Sequence, residues 1–259
     1  MILASSSKSI SFCISCRNRL WQIQDTLLKN LSCLDEDLEI VLVDYGSSDG
    51  FSDWVWANFK EFIDNKKLVF FEVKNPVVWS SPRAKNLAHR LSNGQYLFNL
   101  DADNFITPLD VNLIRKSHKI MLPSHQWSRS WADGSFGRIG IPRELFFKLG
   151  GYDETLLPMG GQDLDLLNRI VAASISIAKL PSPGQSAILN SKHDKLREVN
   201  PKAENVEAFY KMMNEMNLNK SKIRLDLEGP YRTDGFQSYK GLLNGKMIVI
   251  NGFNEITSI

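Results

Sequence analysis

The chain has 259 residues, 43% of them hydrophobic, enough to bury a sizeable core near the size at which single domains begin to split. Its 31 basic and 29 acidic residues leave a net charge of +2, which excludes the basic footprint of a nucleic-acid binder but not a phosphate-bearing small molecule. No run approaches the roughly 20 apolar residues of a membrane span, and residues 1–11 lack the basic start of a secretory leader. The expected setting is therefore a reducing cytoplasm, with any membrane met from its surface.

Ser9 to Cys16 reads as a strand. Cys13 and Cys16 have the spacing of half a zinc site, but no second pair follows, and Cys13 in an apolar strand is expected to be buried. Leu20 to Leu31 carries apolar residues at 20, 21, 23, 27, 28 and 31, a helical stripe. Glu39-Ile40-Val41-Leu42-Val43 is a short branched run that ends at Asp44 and the turn cluster Gly46-Ser47-Ser48-Asp49-Gly50. A helix over 52–63, a strand at 68–73, a helix over 82–92 and a strand at 95–100 follow. Such alternation predicts an α/β fold with a parallel sheet covered on both faces, whose ligands bind beyond the carboxyl ends of the strands.

The second half changes character. A helix starts at Pro142-Arg143-Glu144-Leu145 and closes at Gly150-Gly151, and Gly160-Gly161-Gln162-Asp163 precedes a helix from Leu164 to Ala173. Residues 182–203 read as irregular, 204–217 as helical, and the tail as short strands around 241–245. We expect one domain over 1–220 and an extension over 221–259 packed on it.

Four polar clusters fall at element ends: Arg17-Asn18-Arg19, Asp44 with its turn, Arg83-Ala84-Lys85-Asn86, and Asp101-Ala102-Asp103. A carboxylate inside a strand would be costly to desolvate, whereas at a strand end it can face a cleft. Cations and a helix N-terminus attract phosphate, and paired carboxylates attract a divalent metal that bridges to the same phosphate. The combination fits a metal and nucleotide diphosphate site.

These clusters, with Phe136 through Gly150-Gly151-Tyr152, Gly160-Gly161-Gln162-Asp163-Leu164-Asp165, and Asp194-Lys195 through Asn200-Pro201, resemble the ordered motifs of the β-1,4-galactosyltransferases and related enzymes of the GT-A fold, over residues 9–201. The resemblance implies an inverting transferase that moves galactose, N-acetylgalactosamine or a relative. The donor it implies is a nucleotide sugar, UDP-linked, the cofactor Mn²⁺ or Mg²⁺, and the acceptor a glycan, glycoconjugate or lipid-linked hydroxyl. It implies that Arg17, Arg19, Arg83 and Lys85 line the nucleotide cleft and that Asp44 approaches the base or ribose. It makes Asp103 the direct metal ligand and Asp101 its partner toward ribose and sugar, with His193 as the further ligand, two positions later than the family's histidine. Asp163 matches the catalytic base, while Trp131, Gly161, Gln162 and Asp165 are expected at the sugar or acceptor, or, for Asp165, orienting the loop. The family usually has Glu at 162 and a tryptophan where Met159 stands.

Chemistry bears on Asp163 without the name, because an inverting displacement needs a base opposite the leaving group, and a helix N-terminus keeps such a carboxylate ionised. The alternative is that Asp163 only caps the helix of 164–173. Two other functional classes compete. A nucleotidyltransferase would carry a glycine-rich loop after the first strand, where Cys16-Arg17-Asn18-Arg19 has none; a non-catalytic glycan-binding descendant would lack Asp103 or Asp163.

Overall fold

Four apolar runs pair in parallel at the centre of the sheet: β1 (Ile10–Cys16), β2 (Leu38–Asp44), β3 (Leu68–Val73) and β4 (Tyr96–Asn99), in the order β3-β2-β1-β4. The computed structural model describes residues 8–74, 78–129, 133–184, 186–188, 204–234, 236–252 and 255–258. Period-2 alternation gives each strand two apolar faces. Ile10, Phe12, Ile14, Leu38, Ile40 and Leu42 pack beneath α1 (Leu20–Leu31), α2 (Phe51–Asp64) and α4 (Pro108–Lys119). Cys13, Val41, Val43 and Leu97 turn to the opposite face, under α3 (Ser81–Leu91), α5 (Arg143–Lys148) and α6 (Gln162–Ala172). Cys13 and Cys16 are buried free thiols, as the apolar strand implied.

Beyond β4 the sheet continues through β6 (Ile139–Pro142), β5 (Ser124–Gln126) and β7 (Ala178–Leu180), and beyond β3 through β8 (Tyr239–Leu243), β9 (Lys246–Asn251) and β10 (Glu255–Ser258). The pairs β4–β6, β5–β6, β3–β8, β8–β9 and β9–β10 are antiparallel. The parallel arrangement expected from the first half thus holds at the centre, and the later strands make the whole sheet mixed. The helix expected over 204–217 runs on as α7, Val206–Glu228, to the αR-breaking Gly229, and packs against α6.

One buried group gives the fold a pH limit. His89, 1% exposed, stacks on Phe146 with ring centroids 4.6 Å apart, and its Nδ1 lies 2.7 Å from the Lys85 carbonyl. Burial pushes its pKa from 6.5 down to about 3, so the native state holds it neutral where the unfolded chain binds a proton. Its contribution is complete above pH 6.5 and is lost as pH falls toward 3, at about 1.4 kcal/mol per pH unit. Urea unfolding between pH 7 and pH 5 should show that loss, and His89→Gln should be less steep over the same interval.

Candidate active site

The carboxyl ends of β1, β2 and β4 lie side by side, with Cys16 opposite Asp44 and Cys13 opposite Asn99. The loops after β1 and β2 are tied together. Asn18, at φ 51°, donates its backbone N–H to Ser47 Oγ (2.9 Å) and accepts from the Ser48 N–H at 2.6 Å, while Asp49 accepts from Leu20 N–H at the start of α1. Arg19 occupies the N-cap position of α1 and Arg17 precedes it, so both cations sit at this rim. Asp44 is only 2% exposed, and its Oδ1 accepts the Ser47 N–H at 2.7 Å. Burial raises its pKa against the lowering by the Ser47 hydrogen bonds, with Glu72 and Asp49 adding to the rise.

Helix α3 sends Arg83 and Lys85 in different directions, as residues two apart on a helix must. Arg83 lines a cavity of about 170 Å³ with Tyr152, Glu154 and Phe236, whereas Lys85 reaches under the end of β4. The Lys85 ammonium, 4% exposed, lies 2.7 Å from Asp163 Oδ1 and 3.5 Å from Asp101 Oδ1, and 5.4 Å above the Tyr152 ring. Burial alone would lower its pKa; the Asp101 and Asp163 carboxylates outweigh that and hold it above the ordinary lysine value.

The two aspartates after β4 are unlike. Asp101 has 37% of its side chain exposed and accepts from Asn99 Nδ2 at 3.3 Å. Asp103 is 4% exposed, and its Oδ1 accepts from Asn104 Nδ2 at 2.7 Å. Glycines of the facing loop leave room at both. A Cβ on Gly137 would come 2.8 Å from Asp101 Oδ2, and one on Gly134, at φ +70°, 3.7 Å from Asp103 Oδ2. Such a cradle of hard oxygen donors fits a Mg²⁺ or Mn²⁺ ion, which takes one or two carboxylates and completes its shell with substrate phosphate and water. Among the described residues no cluster of three or more His, Cys, Asp or Glu stands ready to hold a metal alone.

Asp163 does not cap its helix. α6 starts one residue earlier, at Gln162, with left-handed Gly161 in the N-cap position and no side-chain cap bond. The carboxylate is thereby left for the cleft, its Oδ1 on Lys85 and its Oδ2 3.4 Å from Gln162 Nε2. Burial raises its pKa, Lys85 opposes the rise, and Asp101 adds to it; the net direction is up. The helix N-terminus alone would have left it an ordinary acid, whereas the raised proton affinity suits a general base.

Residues 9–126 match the family model described as Glycosyltransferase like family 2. Three solved structures share the fold. A mannosyltransferase, PcManGT, from Pyrobaculum calidifontis, solved with GDP-Man and Mn²⁺, aligns at 16% identity and TM-score 0.58 over 88% of this chain and 77% of its own. Glucosyl-3-phosphoglycerate synthase from Mycobacterium tuberculosis, with Mn²⁺, UDP and glucosyl-3-phosphoglycerate, aligns at 14% identity and TM-score 0.59 over 97% and 87%. TarS from S. aureus, with UDP-GlcNAc, aligns at 13% identity and TM-score 0.54 over 84% and 73%. The fold is GT-A. Together with the family match it supports a glycosyltransferase. No curated protein matches the sequence.

Within this GT-A frame the remaining expected residues divide. Gln162 stands beside the base, its Nε2 3.3 Å from Ser81 Oγ and its buried Oε1 without a hydrogen-bond partner. Gly161, at φ +76°, is needed for close approach, since a Cβ there would come 3.1 Å from Asn217 Cβ of α7. Asp165 is fully buried, so of a sugar contact and a loop-orienting role the burial leaves the second. Its carboxylate accepts from Arg169 Nε at 2.8 Å and Ser221 Oγ at 2.6 Å. Breaking such a buried pair strands the partner charge. Asp165→Ala should cost about 3–5 kcal/mol of stability by denaturant unfolding, where a sugar contact would cost almost none.

Trp131 and His193 lie outside the described residues. The chain does pass over Asp103 shortly before His193: Phe105 N–H donates to the Ser186 carbonyl and Ile188 N–H to the Asp103 carbonyl. Met159 turns inward instead, against Val206 and Met213. Two contributors went unseen in the sequence. His125 stands close enough to Asp163 to feel its charge, with its Nε2 2.9 Å from the Phe136 carbonyl and its ring stacked on Trp127. Asn217 clasps the loop before the base, donating to the Gly160 carbonyl at 2.6 Å and accepting from Leu157 N–H at 2.7 Å. Neither carries a motif. No helix among the described residues is long and apolar enough to cross a membrane.

Proposed function

We propose that the protein is a divalent-metal-dependent, inverting glycosyltransferase that moves a hexose from a UDP-sugar, of the galactose or N-acetylgalactosamine type, to a hydroxyl of a glycan or glycoconjugate. The observation that carries this reading is the ion-paired line Asp101–Lys85–Asp163, which draws three separate sequence motifs to one point beyond the strand ends. The nucleotide sugars bound by the fold's relatives, GDP-Man, UDP-GlcNAc and UDP-Glc, support a nucleotide-sugar donor.

In this reading the acceptor hydroxyl passes its proton to Asp163 Oδ2, the carboxylate oxygen that Lys85 does not hold. The acceptor oxygen forms a bond to the anomeric carbon from the face opposite the leaving group. The bond from that carbon to the diphosphate oxygen breaks with its electron pair on the diphosphate, which inverts the centre. Asp103, with His193 as the further candidate, would hold the metal, and Asp101 would face ribose and sugar. When bound, such an ion supplies positive charge to the leaving diphosphate. Arg17 and Arg19 at the rim would bind the nucleotide, with Asp44 and Arg83 toward the base.

Incubation with a panel of UDP- and GDP-sugars, in Mn²⁺ or EDTA, tests the reading by nucleoside diphosphate release. Release from a UDP-sugar in Mn²⁺ that EDTA abolishes is the expected result. No metal-dependent release from any donor overturns it.

A further inference from the structure

Lys85 sits in the motif that the resemblance assigns to the nucleotide, yet its ammonium is committed elsewhere. It is buried, 2.7 Å from one oxygen of Asp163 and 3.5 Å from Asp101. We propose that Lys85 is a positioning residue for the base: it holds Asp163 Oδ1, leaves Oδ2 turned to the acceptor, and links the base to the donor-side Asp101. The inference rests on the glycosyltransferase reading for its catalytic consequence, but the ion-paired line itself is independent of it.

Among the described residues, the titratable groups around Asp163 come from four elements, and Gln162 Nε2 of α6 itself lies 3.4 Å from Oδ2. Lys85 rises from α3, Asp101 from the end of β4, His125 from β5, and Tyr152 from the loop after α5; His89 lies one turn along α3 from Lys85. Burial keeps His89 and His125 below the ordinary histidine value and Tyr152 above the ordinary phenol value, so each is uncharged near neutrality. Lys85 is then the one cation within this set, facing two carboxylates. An opposite charge at hydrogen-bond distance lowers a carboxyl pKa by about one to three units. Without it, burial and the neighbouring Asp101 would act on Asp163 unopposed, both favouring the protonated form that cannot accept a proton.

The geometry also decides between two roles for this lysine. A diphosphate ligand would have its charge directed at the donor, and its loss would weaken donor binding. A clamp on the base would leave donor binding nearly intact and change the pH at which the base works.

The test uses the full chain labelled with carboxyl-¹³C aspartate, the Asp163 resonance being the one missing in Asp163→Asn. In Lys85→Met, and in Lys85→Gln as a second neutral replacement, the Asp163 midpoint should rise by about one to three pH units relative to wild type. In wild type the Lys85 ¹⁵Nζ shift should follow the Asp163 titration, a readout that needs no variant. Where a donor is turned over, the acidic limb of the kcat/KM profile should move up by the same amount with donor KM nearly unchanged, and activity should recover at high pH. An unmoved Asp163 midpoint overturns the proposal, as does a large rise in donor KM with an unshifted profile. The expected midpoint shift without turnover of any donor supports the clamp while sinking the glycosyltransferase reading.

Discussion

Asp163→Asn is expected to lower the turnover of sugar transfer by about 10²- to 10⁴-fold, the usual contribution of a positioned general base, while donor affinity in Mn²⁺ changes little. Asparagine keeps the shape and can still accept from Lys85 through its amide oxygen, so the loop before α6 has no reason to move. What disappears is the ability of the second oxygen to take the acceptor's proton. The two readouts are therefore kcat with donor and acceptor saturating, and donor binding by calorimetry. Transfer at the wild-type rate would remove Asp163 from the chemistry. A matched loss of donor binding would make it a donor contact instead.

Asp103→Ala should act on the other side of the cleft. Asp103 is nearly buried, held by Asn104 and facing a loop whose Gly134 leaves space beside its second oxygen. Removing even an outer partner of a bound metal typically costs 10- to 100-fold in affinity or activity, so losing a direct ligand should weaken Mn²⁺-dependent UDP binding by at least about 100-fold. Calorimetric titration of UDP with and without Mn²⁺ measures this, with circular dichroism confirming the fold. Wild-type binding that keeps its Mn²⁺ dependence in the variant would exclude Asp103 as the ligand.

Much of this arrangement was legible from the residues, for identifiable physical reasons. Short branched apolar runs bounded by turn residues, such as Ile40-Val41-Leu42-Val43, favour strands buried on both faces, and the polar residues that end them mark one edge of the sheet. Asp101 and Asp103 declared themselves because a carboxylate pair directly after such a run must have somewhere to point. Other features depend on neighbours far away in the chain. Asp165 looks like an exposed first-turn carboxylate until Arg169 and Ser221 are folded onto it. Helix α6 starts two residues before the expected Leu164 because Gly161 takes the left-handed N-cap position, which removes the alternative reading of Asp163 as a cap. The second cation of the Arg83-Ala84-Lys85 cluster faces carboxylates rather than open solvent, which no local pattern encodes. That the tail extends the central sheet is not legible locally, because the partner of β8, β3, lies more than 160 residues earlier in the sequence.

The clasp of Asn217 on the loop at 157–160 makes the seat of Asp163 depend on a helix far along the chain. The strand ends that carry Arg17, Asp44 and Asp101–Asp103 lie in the first half of the chain, whereas the loop before Asp163 is braced by a residue of α7 some sixty positions beyond the loop itself. A change in α7 that removes the clasp would therefore loosen the loop before Asp163 without touching the residues at the strand ends.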